Sequence, residues 1–316
     1  MKNWKKYMAL LLAFASVVAV AACQPQDDTQ DTTTVTTTEE ETTTEEETTT
    51  EEETTTEEET TEAEPVPPTR EQMAEDLLDL NVLALGDSLF HGDFLEDNQT
   101  WLALLAKECD WNFTNLGRDG WTVAYNPEAY PAGSTVRNSI YDKLMNDDYY
   151  KYGSSGYYNY GYPGAKLNQD VDLILLEGGT NDYGWGIPFG KMTDVTPNTY
   201  LGAMKLIIEE LLVRYPNAKI VMVTSWHITG SKANGERMSF VVNGMKDLCS
   251  TLYADNDRVT VIDAGNPQVT GVDMASASFR AQYGKSESDV NHLNAEGMKM
   301  MAQSMLPLIW EVLNAK

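Results

Sequence analysis

The sequence predicts a three-layer α/β/α sandwich on a parallel five-stranded sheet for residues 65–316, and three observations carry that prediction. Five short apolar runs bounded by turn residues alternate with longer segments of helical period. Two of the runs, "VDLILLEGG" and "KIVMVTSW", are apolar on both faces, as expected of strands covered by helices on each side. The segment is also long enough to bury one sizeable α/β core.

Strands are expected at Val82–Leu85, Trp111–Leu116, Val171–Leu176, Lys219–Ser225 and Val259–Ile262, and helices over about 70–80, 97–109, 134–146, 197–215, 233–254 and 295–314. In a parallel sheet the chemistry gathers at the C-terminal ends of the strands, so the residues that follow each strand matter most. Two stretches fit this alternation poorly: "WTVAYNPEAYPAG" after Gly120, and residues 149–162, which hold seven tyrosines interspersed with glycine. Loops of this length are functional or disordered, and the aromatics favour an ordered surface feature.

The N-terminal part reads differently. Residues 1–22 carry Lys2, Lys5 and Lys6, an apolar run from Met8 to Val20 too short for a permanent span, and then small residues before Cys23, the pattern of a secretory signal. The ending "VAAC" resembles the bacterial lipoprotein signal, in which the cysteine is lipid-modified; the plainer alternative is an ordinary signal peptide with a chance cysteine. Gln24 replaces the aspartate that marks retention at an inner membrane. Residues 23–64 have no aromatic residue and four consecutive TTTEEE units, a composition that cannot bury enough apolar surface to fold. As a self-repelling linker it reaches at least about 35 Å and on the order of 130 Å at full stretch. The expected location is extracytoplasmic, anchored to the cell membrane through Cys23.

The net charge of the chain is −27, but 17 acidic residues lie in 24–64 and three lysines in 1–22, which leaves −13 for residues 65–316. A moderately acidic domain disfavours nucleic acid as a partner. Cys109 and Cys249 are too few for a disulfide framework.

Four short stretches carry the chemistry. "GDSL" with Ser88 follows the first strand, "NLGRDG" ending at Gly120 the second, and "EGGTND" with Asn181 the third, while "DVNHLN" with Asp289 and His292 precedes the last helix. Acyl transfer needs an exposed hydroxyl, a base, a group that orients the base, and donors for the oxyanion. Ser88, His292 and Asp289 supply the first three, and the N–H groups of Ser88 and Gly120 with the amide of Asn181 supply the donors. Singly, each has a plainer reading: Ser88 as a helix N-cap, Gly120 and Asn181 as turn formers, Asp289 and His292 as a surface pair. Their joint occurrence in this order carries the weight.

These blocks resemble the SGNH, or GDSL, hydrolase superfamily over about residues 80–314. The resemblance implies a flavodoxin-like sandwich, a Ser88–His292–Asp289 triad, an oxyanion hole from Ser88, Gly120 and Asn181, and no metal or other cofactor. No G-x-S-x-G elbow and no H-E-x-x-H motif is present. His91, Trp121, Asp182, Trp185 and His227 are candidate substrate-binding residues; Trp226 is either core or platform, and core is favoured. The function expected is removal of acyl groups, chiefly acetyl, from a cell-wall or plant polysaccharide or another small ester. The alternatives are a lipase or lysophospholipase and a non-catalytic surface binding protein.

Overall fold

The computed structural model describes residues 67–92, 94–128, 139–146, 170–226 and 232–314. The signal segment, Cys23, the Thr/Glu tract, His227 and residues 149–162 therefore lie outside the described residues.

The elements run α1 Arg70–Asp76, β1 Asn81–Leu85, α2 Ser88–His91, α3 Trp101–Glu108, β2 Asn112–Asn115, α4 Ile140–Met145, β3 Leu173–Leu176, α5 Thr180–Gly184, α6 Tyr200–Arg214, β4 Lys219–Val223, α7 Lys232–Leu252, β5 Val259–Ile262, α8 Pro267–Thr270, α9 Ala277–Tyr283 and α10 Ala295–Asn314. The five strands are all parallel in the order β2-β1-β3-β4-β5. The chain reverses its direction of winding between β1 and β3, the switch point at which sheets of this kind bind ligands.

Both faces of the sheet are buried, as the apolar strands require. Leu83, Leu85, Ile174, Leu176, Ile220 and Met222 pack with α4, α6 and α7. The alternate residues Val82, Ala84, Leu173, Leu175, Val221 and Val223 pack with α1, α3 and α10. Successive side chains of a strand point to opposite faces, so an uninterrupted apolar strand needs a helical layer on each side.

The differences from the expected elements lie at the ends and have local causes. The helix expected from residue 97 begins at Trp101 because Thr100 is extended and caps it, its side chain accepting from the N–H of Ala103. Thr199 likewise starts α6 by accepting from Gly202. The fourth strand stops at Val223 because its partner β5 ends at Ile262, where the Ala264 N–H turns back onto the Ile262 carbonyl; beyond it Thr224 Oγ1 donates to Asp263, and Ser225 Oγ pairs with Thr180 Oγ1 at 2.9 Å. The short helices α5, α8 and α9 had no counterpart among the expected elements, being only 5, 4 and 7 residues long. No described helix is long and apolar enough to cross a membrane.

Candidate active site

Ser88 is the first residue of α2, just beyond the end of β1. The cap of that helix is Asp87, whose Oδ1 accepts the Leu89 N–H at 2.9 Å. Capping is thus the work of the aspartate, and the serine hydroxyl is left for another partner. That partner is His292, whose Nε2 lies 3.0 Å from Ser88 Oγ.

On the far side of the ring, His292 Nδ1 stands 3.0 Å from Asp289 Oδ2 and 3.2 Å from Oδ1. With its proton on Nδ1, the imidazole donates to Asp289 and leaves Nε2 to accept from the serine hydroxyl. Asp289 is itself held, since Oδ1 accepts the backbone N–H of Asn291 at 2.8 Å and of His292 at 2.9 Å. Burial alone would raise this carboxyl, but those two N–H groups and the imidazole hold it below the usual carboxylate range. The loop carrying the pair is pinned from outside by Lys285, whose N–H donates to the His292 carbonyl at 2.8 Å.

Gly120 ends the loop after β2 at φ +73°, in the left-handed region that favours glycine, and a Cβ there would meet nothing within 4 Å. Neither its N–H nor that of Ser88 has an acceptor among the described residues. Gly179 must be glycine for a second reason: at φ +124° a Cβ would run into Val241 Cγ1, so only glycine lets β3 turn directly into α5 and bring Asn181 round to the serine. The Asn181 carboxamide is already engaged, with Nδ2 donating to Trp121 O at 2.8 Å and to Asp87 Oδ2 at 3.2 Å. The structure therefore brings Asn181 beside the turn that carries Ser88 but ties its N–H groups to protein oxygens.

Four of the predicted substrate-binding residues lie among the described residues. The Trp121 ring, expected to stack on substrate, is 5 % exposed and packed in the core with Val123 and Ile140; its carbonyl, not its ring, meets Asn181. Asp182 is corrected likewise: it is 1 % exposed, and its two oxygens accept the backbone N–H groups of Val123 and Ala124 at 2.7 and 2.9 Å. It fastens the loop that follows Gly120. Burial pushes its carboxyl up to about 7, against the lowering effect of those two N–H groups. His91 lies at the end of α2 with Nδ1 2.7 Å from Asp119. Trp185, at the end of α5, is 41 % exposed. A separate cavity of about 300 Å³ behind α5 is lined by Tyr183, Phe189, Tyr200 and Phe240, and neither Ser88 nor His292 reaches it.

Residues outside the expected set complete the surroundings. Trp226 has no exposed surface and is core, yet its Nε1 donates to the Asn291 carbonyl beside the imidazole. Glu177 stands without exposure under Asp87, its Oε2 accepting the Asp87 N–H at 3.2 Å. The signal for Glu177 was present in the sequence as the charge at the C-terminal end of the apolar run "LILL", where the chemistry of a parallel sheet gathers. Asn115 ties the Gly120 loop to α2, its Nδ2 donating to Phe90 O at 2.8 Å. An activated hydroxyl, a base with an orienting carboxylate, and N–H donors around one point are the parts needed for acyl transfer.

A model of the GDSL-like lipase/acylhydrolase family matches residues 84–300. Solved structures share the fold at low sequence identity. A protein from Lactobacillus plantarum is 20 % identical with TM-score 0.53, covering 73 % of this chain and 97 % of that one. A family two carbohydrate esterase from Cellvibrio japonicus is 19 % identical with TM-score 0.51, covering 75 % and 62 % of the two chains. A family two carbohydrate esterase from Clostridium thermocellum, solved in complex with cellohexaose, is 16 % identical with TM-score 0.50, covering 75 % and 65 %. No curated protein matches in sequence.

Proposed function

Because the chain belongs to the GDSL-like lipase/acylhydrolase family of carboxylic ester hydrolases, we propose that it is a serine esterase that removes short acyl groups, chiefly acetyl, from a polysaccharide. The observation that carries the catalytic part is the unbroken line Ser88 Oγ, His292 Nε2, His292 Nδ1, Asp289 Oδ2, with 3.0 Å at both hydrogen bonds. Ser88 Oγ attacks the ester carbonyl while His292 Nε2 takes its proton. The tetrahedral oxyanion faces the N–H groups of Ser88 and Gly120 and the amide of Asn181. Collapse expels the sugar hydroxyl, which takes the proton from His292, and water then repeats the cycle on the acyl-enzyme. Asp289 fixes the tautomer and stabilises the imidazolium.

The polysaccharide reading draws on the solved carbohydrate esterases of like fold and on the exposed Trp185, whose backbone N–H donates to the Asn181 carbonyl at 2.9 Å. It also draws on the N-terminus, which we read as a lipid anchor at Cys23 with the stalk 24–64 holding residues 65–316 off the membrane. The test is acetate release from acetylated xylan, pectin, chitin fragments and peptidoglycan, with p-nitrophenyl esters of rising chain length beside them. Release from one polysaccharide together with a preference for acetate supports the proposal. A preference for chains of eight or more carbons with no polysaccharide turnover would replace it with a lipase.

A further inference from the structure

Directly beneath the nucleophile lies a pair of carboxyls that the acyl-transfer scheme does not use. Asp87 and Glu177 have no exposed surface, and Glu177 Oε2 accepts the Asp87 N–H at 3.2 Å, which brings the two carboxyls close enough to act on each other's charge. Two carboxylates in contact away from water cannot both be ionised, so at neutral pH the pair keeps at least one proton.

The surroundings decide where the charge sits. Asp87 receives the Leu89 N–H on Oδ1 and the Asn181 amide on Oδ2. Glu177 receives only the Asp87 N–H on Oε2, and its Oε1 is buried with no hydrogen-bond partner. An ionised Glu177 would strand negative charge on an oxygen without a donor, which costs far more than leaving it neutral. Asp119 opposes the charge on Asp87 and His292 favours it; Asp87 and Asp182 both oppose ionisation of Glu177, Asp87 also opposes that of Asp182, and the Tyr200 hydroxyl stays neutral nearby. Burial accordingly raises Glu177 well above the usual range and Asp87 only to about 6, since Asp87 is relieved by the Leu89 N–H and by Glu177. No described trio of acidic, His or Cys side chains is arranged to hold a metal ion.

We propose that Glu177, kept protonated, and Asp87, kept ionised, form a positioning unit that donates from Glu177 to Asp87 and through Asp87 orients the Asn181 carboxamide toward the reacting carbonyl. Asp87 holds one N–H of Asn181 throughout. The other N–H exchanges Trp121 O for the oxyanion, a charged acceptor that makes the stronger bond. The Asp87 charge also attracts the positive charge that His292 carries during turnover. No bond of the substrate is made or broken by either carboxyl, and the proton of Glu177 stays in place. This inference rests on the esterase reading above.

Infrared difference spectra of the wild-type protein against Glu177→Gln at pH 7 test the pair itself, and kinetics with p-nitrophenyl acetate test its role. The expected spectrum shows a protonated carboxylic acid carbonyl band in the wild type that the substitution removes. Glu177→Ala is expected to lower kcat about tenfold or more with KM changed less than about twofold, and Glu177→Gln, a neutral donor of the same shape, to restore most of it. Asp87→Asn is expected to lose on the order of a hundredfold in kcat and to shift the acid limb of the kcat/KM profile to lower pH. Absence of the acid band, or an Asp87→Asn enzyme with wild-type rate and pH profile, would overturn the proposal. The spectrum needs no turnover, so the pair is judged even if Ser88→Ala retains activity and the esterase reading itself fails.

Discussion

The indole N–H of Trp226 donates to the carbonyl of Asn291 across 3.0 Å, from a position without solvent exposure at the end of β4. A rigid ring anchored in the core thus braces the loop in which Asp289 and His292 sit, and the braced carbonyl is the residue next to the imidazole. Trp226→Phe keeps most of the apolar volume but leaves that carbonyl without its donor. It should cost about 1–3 kcal/mol of stability in urea unfolding and several-fold in kcat. Unchanged kcat would show that the loop is held well enough by Lys285 and the Asp289 hydrogen bonds alone.

In the proposed scheme Asp289 orients the base, whereas His292 carries the proton. Asp289→Asn should therefore lower kcat less than His292→Ala does, by at least about tenfold less, measured on p-nitrophenyl acetate at pH 8. Equal losses would give Asp289 a second role.

Asn181→Ala should lower kcat on the order of a hundredfold with little change in KM, the usual cost of an oxyanion donor. A loss under about threefold would make Asn181 a strut for the Trp121 carbonyl and nothing more.

The buried acids make stability depend on pH in a definite direction. Asp87 and Asp182 ionise at about 6 and about 7 in the folded protein, above their ordinary value of 3.8, so between about pH 4 and pH 7 the folded state binds more protons than the unfolded state. Their contribution is complete below pH 4 and lost as pH rises through 6 to 7. Asp289, lowered in the folded state, acts in the opposite sense and only below about pH 4. Tm should therefore fall from pH 5 to pH 8, and Asp182→Asn should flatten that fall. A Tm that rises over this range would contradict the placement of these acids.

Much of this arrangement could be read from residue order. The strands announced themselves because an all-apolar run of four or five residues between turn residues has few other places to go, and Val259–Ile262 was located to the residue. Ser88, Gly120, Asn181, Asp289 and His292 stood out because each follows a strand or precedes the last helix. What stayed hidden depends on burial, which order along the chain does not encode. Trp121 and Asp182 look like substrate contacts in a loop, yet one fills the core and the other spends both oxygens on backbone N–H groups. Short helices such as Pro267–Thr270 exist through capping by Asn266 rather than through any periodic pattern.

The central claim is that the Ser88 hydroxyl is the nucleophile, activated by His292. Treatment with an alkyl fluorophosphonate followed by peptide mass analysis tests it most directly. The account predicts one adduct, on Ser88, that forms in step with the loss of esterase activity and hardly forms in His292→Ala. Full activity in a protein completely modified at Ser88, or inactivation with the adduct on another residue, would contradict it.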